Sequence, residues 1–168
     1  MELLLRSSYL YYEPIGVIGI VSPWNFPFSI PMGETLMGLM AGNCVLLKPS
    51  SSTAFIGLEM GKVFKDANLP EGVFTLITGD SKSGDTLIRG ELDKIIFTGS
   101  VPVGKIVMKA ASERLTPCTL ELGGKDPMVV CKDANIKNAA RAAVWGAFSN
   151  SGQCCASVER CYVDESIA

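Results

Sequence analysis

Ile15-Gly16-Val17-Ile18-Gly19-Ile20-Val21 is a short, unbroken apolar run rich in β-branched side chains. A run without a polar face predicts a strand covered on both sides. Pro23 and Pro27 break it, a helical segment follows over 29–41, and Gly42-Asn43 close that segment. Cys44-Val45-Leu46-Leu47 repeats the buried-strand pattern and stops at Pro49. Strand, helix and strand in this order make a right-handed crossover between parallel neighbours.

Outward from this unit the alternation continues. Thr53 is placed to cap a helix reaching Asn68, with Phe55, Leu58, Val63, Phe64 and Ala67 as its apolar stripe. Strands are expected at 73–77, 94–97 and 117–122, and helices at 83–89 and 103–114. The fold class is therefore α/β, a Rossmann-like parallel sheet with helices on both faces. Beyond Gly124 the pattern restarts, with a strand at 128–130, an Ala-rich helix at 135–148 and a strand at 160–163. The expected division is a first domain over 1–124 and the truncated start of a second α/β domain over 125–168.

Of the 168 residues, 48% are hydrophobic and 19% charged, which excludes a disordered chain. A net charge of -2 without a basic stripe argues against nucleic-acid binding. No histidine is present, so every Ser-His or Cys-His scheme and every His-ligated metal is excluded. The short apolar run Leu3-Leu4-Leu5 lacks a basic lead-in, and 15–21 is too short to span a bilayer. Six cysteines without metal-ligand spacing fit reduced thiols, so a soluble cytoplasmic protein is expected. Cys44, Cys118, Cys131 and Cys161 lie in or beside strand-like runs and read as structural.

Ligands of such sheets sit beyond the carboxyl ends of the strands, so those segments are the candidates for chemistry. Asn25, in Pro23-Trp24-Asn25-Phe26-Pro27, either supplies amide donors to an oxyanion or bonds its own turn. Lys48 either reaches a nucleotide hydroxyl or phosphate, or is a solvated strand-end cation. Phe97-Thr98-Gly99-Ser100 with Gly104 permits close approach of a pyrophosphate to a helix start, or is an ordinary turn. Glu121, beside Leu120 and ahead of Leu122-Gly123-Gly124-Lys125, reads as a partly desolvated base, as an ion-pair partner of Lys125 or as an ordinary surface carboxylate. Cys155, in Gly152-Gln153-Cys154-Cys155, is an accessible nucleophile or an inert thiol.

Taken together and in this order, the five segments strongly resemble the NAD(P)-dependent aldehyde dehydrogenase superfamily, from about Tyr12 to Val163. The resemblance implies that Cys155 attacks an aldehyde to give a thiohemiacetal, with Asn25 and a backbone N–H at Cys155 holding the oxyanion. It implies a thioester after hydride loss, with Glu121 activating the water that hydrolyses it. For the NAD or NADP cofactor it implies Lys48 at the adenosine ribose, Gly99, Ser100 and Gly104 at the pyrophosphate turn, and Trp24, Leu122 and Gly123 at the nicotinamide side. Ser51 stands where NAD-preferring members often carry Glu, which gives a slight lean to NADP or dual use. Glu121 favours release of a free carboxylate, because branches that release a CoA thioester lack it.

Members of this family are roughly three times as long as this chain, so a partial chain is expected. The parent is expected to be a homo-oligomer acting on a small aldehyde. A nucleotide-binding module without turnover, and a self-associating fragment with an exposed apolar face, are the other two readings.

Overall fold

The opening apolar run becomes β1 (Val17–Val21), and the alternation continues from it in order. Next come α1 (Ser29–Met40), β2 (Cys44–Lys48), α2 (Ala54–Asp66), β3 (Phe74–Leu76), α3 (Ser81–Ile88), β4 (Lys94–Gly99), α4 (Val101–Arg114) and β5 (Cys118–Leu122). The structure is a computed structural model describing residues 7–168. The Leu3–Leu5 run considered above lies outside the described residues.

All strands of the main sheet are parallel, in the order β3-β2-β1-β4-β5. Register explains why the strands carry no polar face. Ile18 and Ile20 pair with Val45 and Leu47, and these four pack with Met60 and Phe64 of α2 and Met32 and Leu39 of α1. Ile95 and Phe97 point to the opposite face, against Leu87 and Ile88 of α3 and Val107, Ala110 and Ala111 of α4. Burial of each large side chain here stabilises the fold by roughly 1.5–3 kcal/mol. Helices thus cover both faces, as expected.

Asn43 ties the first crossover together. Its Oδ1 accepts from the backbone N–H groups of Ile15 (2.7 Å) and Gly16 (3.0 Å), and its Nδ2 donates to Gly38 O (3.1 Å). A buried carboxamide with these partners leaves little of its polar surface unsatisfied.

Two expectations for α2 fail. Thr53 occupies the N-cap position, yet its hydroxyl makes no capping bond and is buried without a partner, because a 3₁₀ turn (Ser51–Thr53) already leads into the helix. The apolar stripe is also displaced. Phe55, Leu58, Val63 and Ala67 are exposed, whereas Gly57, Met60 and Phe64 face the sheet. Their spacing of three and four residues is the true helical stripe, and glycine at 57 admits the Pro49 ring.

The second unit is smaller. β6 (Pro127–Val130) and β7 (Arg160–Val163) pair in parallel, with α5 (Ile136–Phe148) as the crossover and Asn135 as its cap, accepting from Asn138 N at 3.0 Å. No residue of α5 is buried, and Trp145 and Phe148 are largely exposed. Cys131, just beyond β6, and Cys161, in β7, are exposed, so the structural reading suits only the half-buried Cys44 and Cys118. Among the described residues, no helix is long and apolar enough to cross a membrane.

Candidate active site

The strand order reverses between β1 and β4, so the connections leaving these strands diverge and open a crevice at their carboxyl ends. A cleft of about 1130 Å³ lies there. Trp24 and Asn25 enter it after β1, Lys48 at the end of β2 and Ser51 just beyond, Gly99 at the end of β4 and Ser100 just beyond, Glu121 from β5 and Gly123 after it. Cys154 and Cys155 enter from the second unit. Residues distant in sequence thereby converge on one space.

A specific contact holds the two halves together. Asn25 Nδ2 donates to Gln153 O at 2.7 Å, and Asn150 Nδ2 donates back to Asn25 O at 2.9 Å. Gln153 Nε2 in turn donates to Asn150 O at 3.0 Å. The loop is tightly curled, with Asn150 and Ser151 in left-handed backbone conformations at φ 52° and 59°. Beyond it the chain folds back onto α5, where Val158 N donates to Gly146 O at 3.1 Å. A Cβ at position 146 would meet Val158 Cγ2 at 2.6 Å, so only glycine permits this approach.

Lys48 is not the solvated cation that its type suggests, being only 6% exposed. Its Nζ donates to Pro49 O at 3.2 Å. Burial pulls its ammonium below the ordinary value, while the Asp80 carboxylate acts the other way. A buried cation with one backbone acceptor is suited to a hydroxyl or phosphate entering the cleft.

At the start of α4, Ser100 occupies the N-cap with no side-chain capping bond, and Pro102 follows in the first turn. The first-turn N–H groups are therefore available to an anion, reinforced by the helix dipole. Gly104 and Leu122 differ from expectation: neither lines the cleft. They pack together beneath it instead, and a Cβ at 104 would meet Leu122 Cδ2 at 2.7 Å. Their contact sets how closely α4 approaches β5. With Lys48 and Ser51 at one end and the α4 start at the other, the groups present fit a dinucleotide.

Of the readings open for Glu121, the structure matches the surface carboxylate: it is exposed rather than desolvated, because it leaves an edge strand into the open cleft. Lys125 is not its partner, since that lysine pairs with Glu159. Cys155 is exposed and Cys154 half-buried.

The carboxyl group that is desolvated is Glu34, which lies outside all five segments singled out from the sequence. Its Oε1 accepts from Thr98 Oγ1 at 3.2 Å, and its Oε2 is buried without a partner. Burial pushes its carboxyl up to about 7, with the Thr98 bond pulling down and the Glu121 charge pushing up. One signal was available in the sequence: Glu34 is the only charged residue in an otherwise apolar helix.

Strand order and the crevice at its reversal define a class, the doubly wound α/β proteins, whose ligands sit at that switch point. Within that class the aldehyde dehydrogenase family profile matches residues 5–168, and the chain belongs to that family. It is 44% identical over 153 residues to a Methylomonas protein named 4,4'-diapolycopene aldehyde oxidase, covering 91% of this chain and 29% of that one. It is 40% identical over 157 residues to a Mycobacterium tuberculosis protein with a provisional name as an NADP+ succinate-semialdehyde dehydrogenase, covering 94% of this chain and 30% of that one. Among solved structures, it resembles an NAD+ complex of a Bacillus cereus aldehyde dehydrogenase with a TM-score of 0.89 at 35% identity, covering 93% and 32% of the two chains. A Sinorhizobium meliloti NAD-dependent aldehyde dehydrogenase gives a TM-score of 0.88 at 38% identity, covering 92% and 31%. The chain spans about 30% of the length of the curated relatives it matches.

Proposed function

We propose that this chain carries the cofactor-binding core and the nucleophile of an NAD(P)+-dependent enzyme that oxidises an aldehyde to a free carboxylate. Residues 1–124 form the cofactor unit on this reading, and residues 125–168 belong to the catalytic unit. The observation that carries it is the Asn25–Gln153 bond, which holds a carboxamide within two residues of Cys155 in the cleft that Glu121 also enters.

Cys155, exposed in the cleft, attacks the aldehyde carbon through its thiolate and forms a thiohemiacetal. One N–H of the Asn25 amide is spent on Gln153 O, and its second N–H has no other partner among the described residues. That second donor stabilises the oxyanion, aided by the backbone N–H of Cys155. When bound, the nicotinamide supplies the hydride acceptor. Lys48 and Ser51 hold the adenosine ribose, the α4 start holds the pyrophosphate, and Trp24 and Gly123 border the nicotinamide side. Glu121 removes a proton from the water that hydrolyses the Cys155 thioester, and its exposure at the cleft gives that water access.

The cofactor is NAD+ or NADP+, with a lean to NADP+ or dual use. Ser51 supports that lean, because its hydroxyl can donate to a 2′-phosphate and carries no opposing charge.

The test is NAD(P)H formation by the full chain with short aliphatic, betaine and semialdehyde substrates, beside Cys155→Ala. Activity that disappears in the variant supports the enzyme. Dinucleotide binding without turnover supports a binding module instead.

A further inference from the structure

Glu34 is half-buried on α1, beside the buried Pro31, Thr35 and Gly38. Oε1 takes one hydrogen bond, from Thr98, and Oε2 is enclosed with no donor. A carboxylate in that position has lost water without a replacement, whereas the neutral acid requires much less solvation. Thr98 pairs with Glu121 in the β4–β5 register, and both side chains leave the sheet on the face that α1 covers. The titratable group facing Glu34 is therefore a second carboxylate. Among the described residues no cation offsets it: α1 bears no other charge, and Lys48, at the end of β2, interacts with Asp80.

We propose that Glu34 is the proton-storing partner of Glu121: of two facing carboxyl groups, Glu34 holds the shared proton and leaves Glu121 ionised to act as a base. This rests on the reading of Glu121 as the hydrolytic base. In that step the water oxygen bonds to the thioester carbon, the carbon–sulfur bond to Cys155 breaks with its electron pair remaining on sulfur, and the water proton goes to Glu121. The pair then holds two protons; one leaves to water in the open cleft, Glu34 keeps the other, and the Glu121 carboxylate is restored. Glu34 touches neither substrate nor cofactor on this account, so it is a positioning residue. Its elevated proton affinity, near neutrality, matches the role.

The experiment is ¹³C NMR of the full chain labelled at the glutamate carboxyl carbon, titrated from acid to alkaline pH. The resonance missing from Glu34→Gln identifies the group. Its midpoint is expected at about 7, moving to lower pH in Glu121→Gln as the like charge disappears. In Thr98→Val it moves to higher pH, because the bond that favours the ionised form is gone. A midpoint among those of the exposed glutamates, or one unmoved by Glu121→Gln, overturns the proposal. Titration requires no turnover, so the two readings fail separately. Coupled midpoints without aldehyde oxidation overturn Glu121 as a base, and oxidation without coupled midpoints overturns Glu34 alone.

Discussion

The side-chain amide of Asn25 donates to the main-chain oxygen of Gln153, 128 residues away in sequence, at 2.7 Å. That bond locks the turn after β1 to the loop bearing Cys155, and Asn150 closes the same link from the other side. Asn25→Ala removes both the lock and the proposed oxyanion donor. Expected is a fall in kcat of about 10²–10³ with dinucleotide affinity nearly unchanged. Stopped-flow kinetics and binding titration together check this, and an equal loss of cofactor affinity would point to a purely structural role.

Cys155→Ala is expected to abolish aldehyde oxidation while preserving dinucleotide binding, whereas Cys154→Ala retains turnover. Both thiols border the cleft, but only Cys155 is exposed. Alkylation followed by peptide mass spectrometry should mark Cys155 first; preferential labelling of Cys154 would reverse the assignment.

Glu121→Gln leaves a carboxamide in the cleft that cannot take a proton from water. An initial burst of NAD(P)H should survive while steady turnover slows by about 10²-fold or more. Equal losses in both phases would contradict a role confined to thioester hydrolysis.

Ser51→Glu places a negative charge beside the proposed ribose site. NADP+ binding should weaken through repulsion of its 2′-phosphate, with NAD+ binding retained. Calorimetric affinities for both dinucleotides in the wild type and variant provide the comparison, and parallel losses would place the adenosine elsewhere.

The pH dependence of stability follows from Glu34. Its folded value, about 7, lies above the ordinary 4.5. Below about pH 4.5 the proton is bound in both folded and unfolded chains, and the contribution is fully present. As pH rises through about 7 the folded state must surrender that proton, so stability falls and stays lower. Glu34→Gln should flatten this slope, making the variant more stable at about pH 8 by about 1–2 kcal/mol, a figure reduced for partial solvent screening. Urea denaturation at about pH 5 and about pH 8 measures it. A variant with an unaltered slope would place Glu34 in water.

Much of the fold was legible because strands buried on both faces have a simple pattern. Val17–Val21 and Cys44–Lys48 needed only uninterrupted apolar residues and a breaker at each end. The α2 stripe was misread for a reason local to that helix. Its most apolar side chains, Phe55 among them, face outward, and two of its sheet-facing contacts are made by glycine and methionine. Size and hydropathy alone point the wrong way at such a surface. In the cleft, ordered motifs located Asn25, Lys48, Glu121 and Cys155. Burial did not follow sequence neighbours: Glu121 is flanked by leucines yet exposed, because alternate strand residues point in opposite directions. Glu34 lies in another crossover altogether, and only packing of α1 against the sheet brings it to Thr98.

Every strand of the main sheet precedes Cys155 along the chain. During synthesis at about 5–20 residues per second, Asn25 leaves the ribosome roughly 6–26 s before Gln153 arrives to meet it. The floor of the cleft can therefore assemble while the thiol is still inside the exit tunnel. The Cys155 thiol then emerges beside groups already in position, so the loop that bears it closes onto a finished surface.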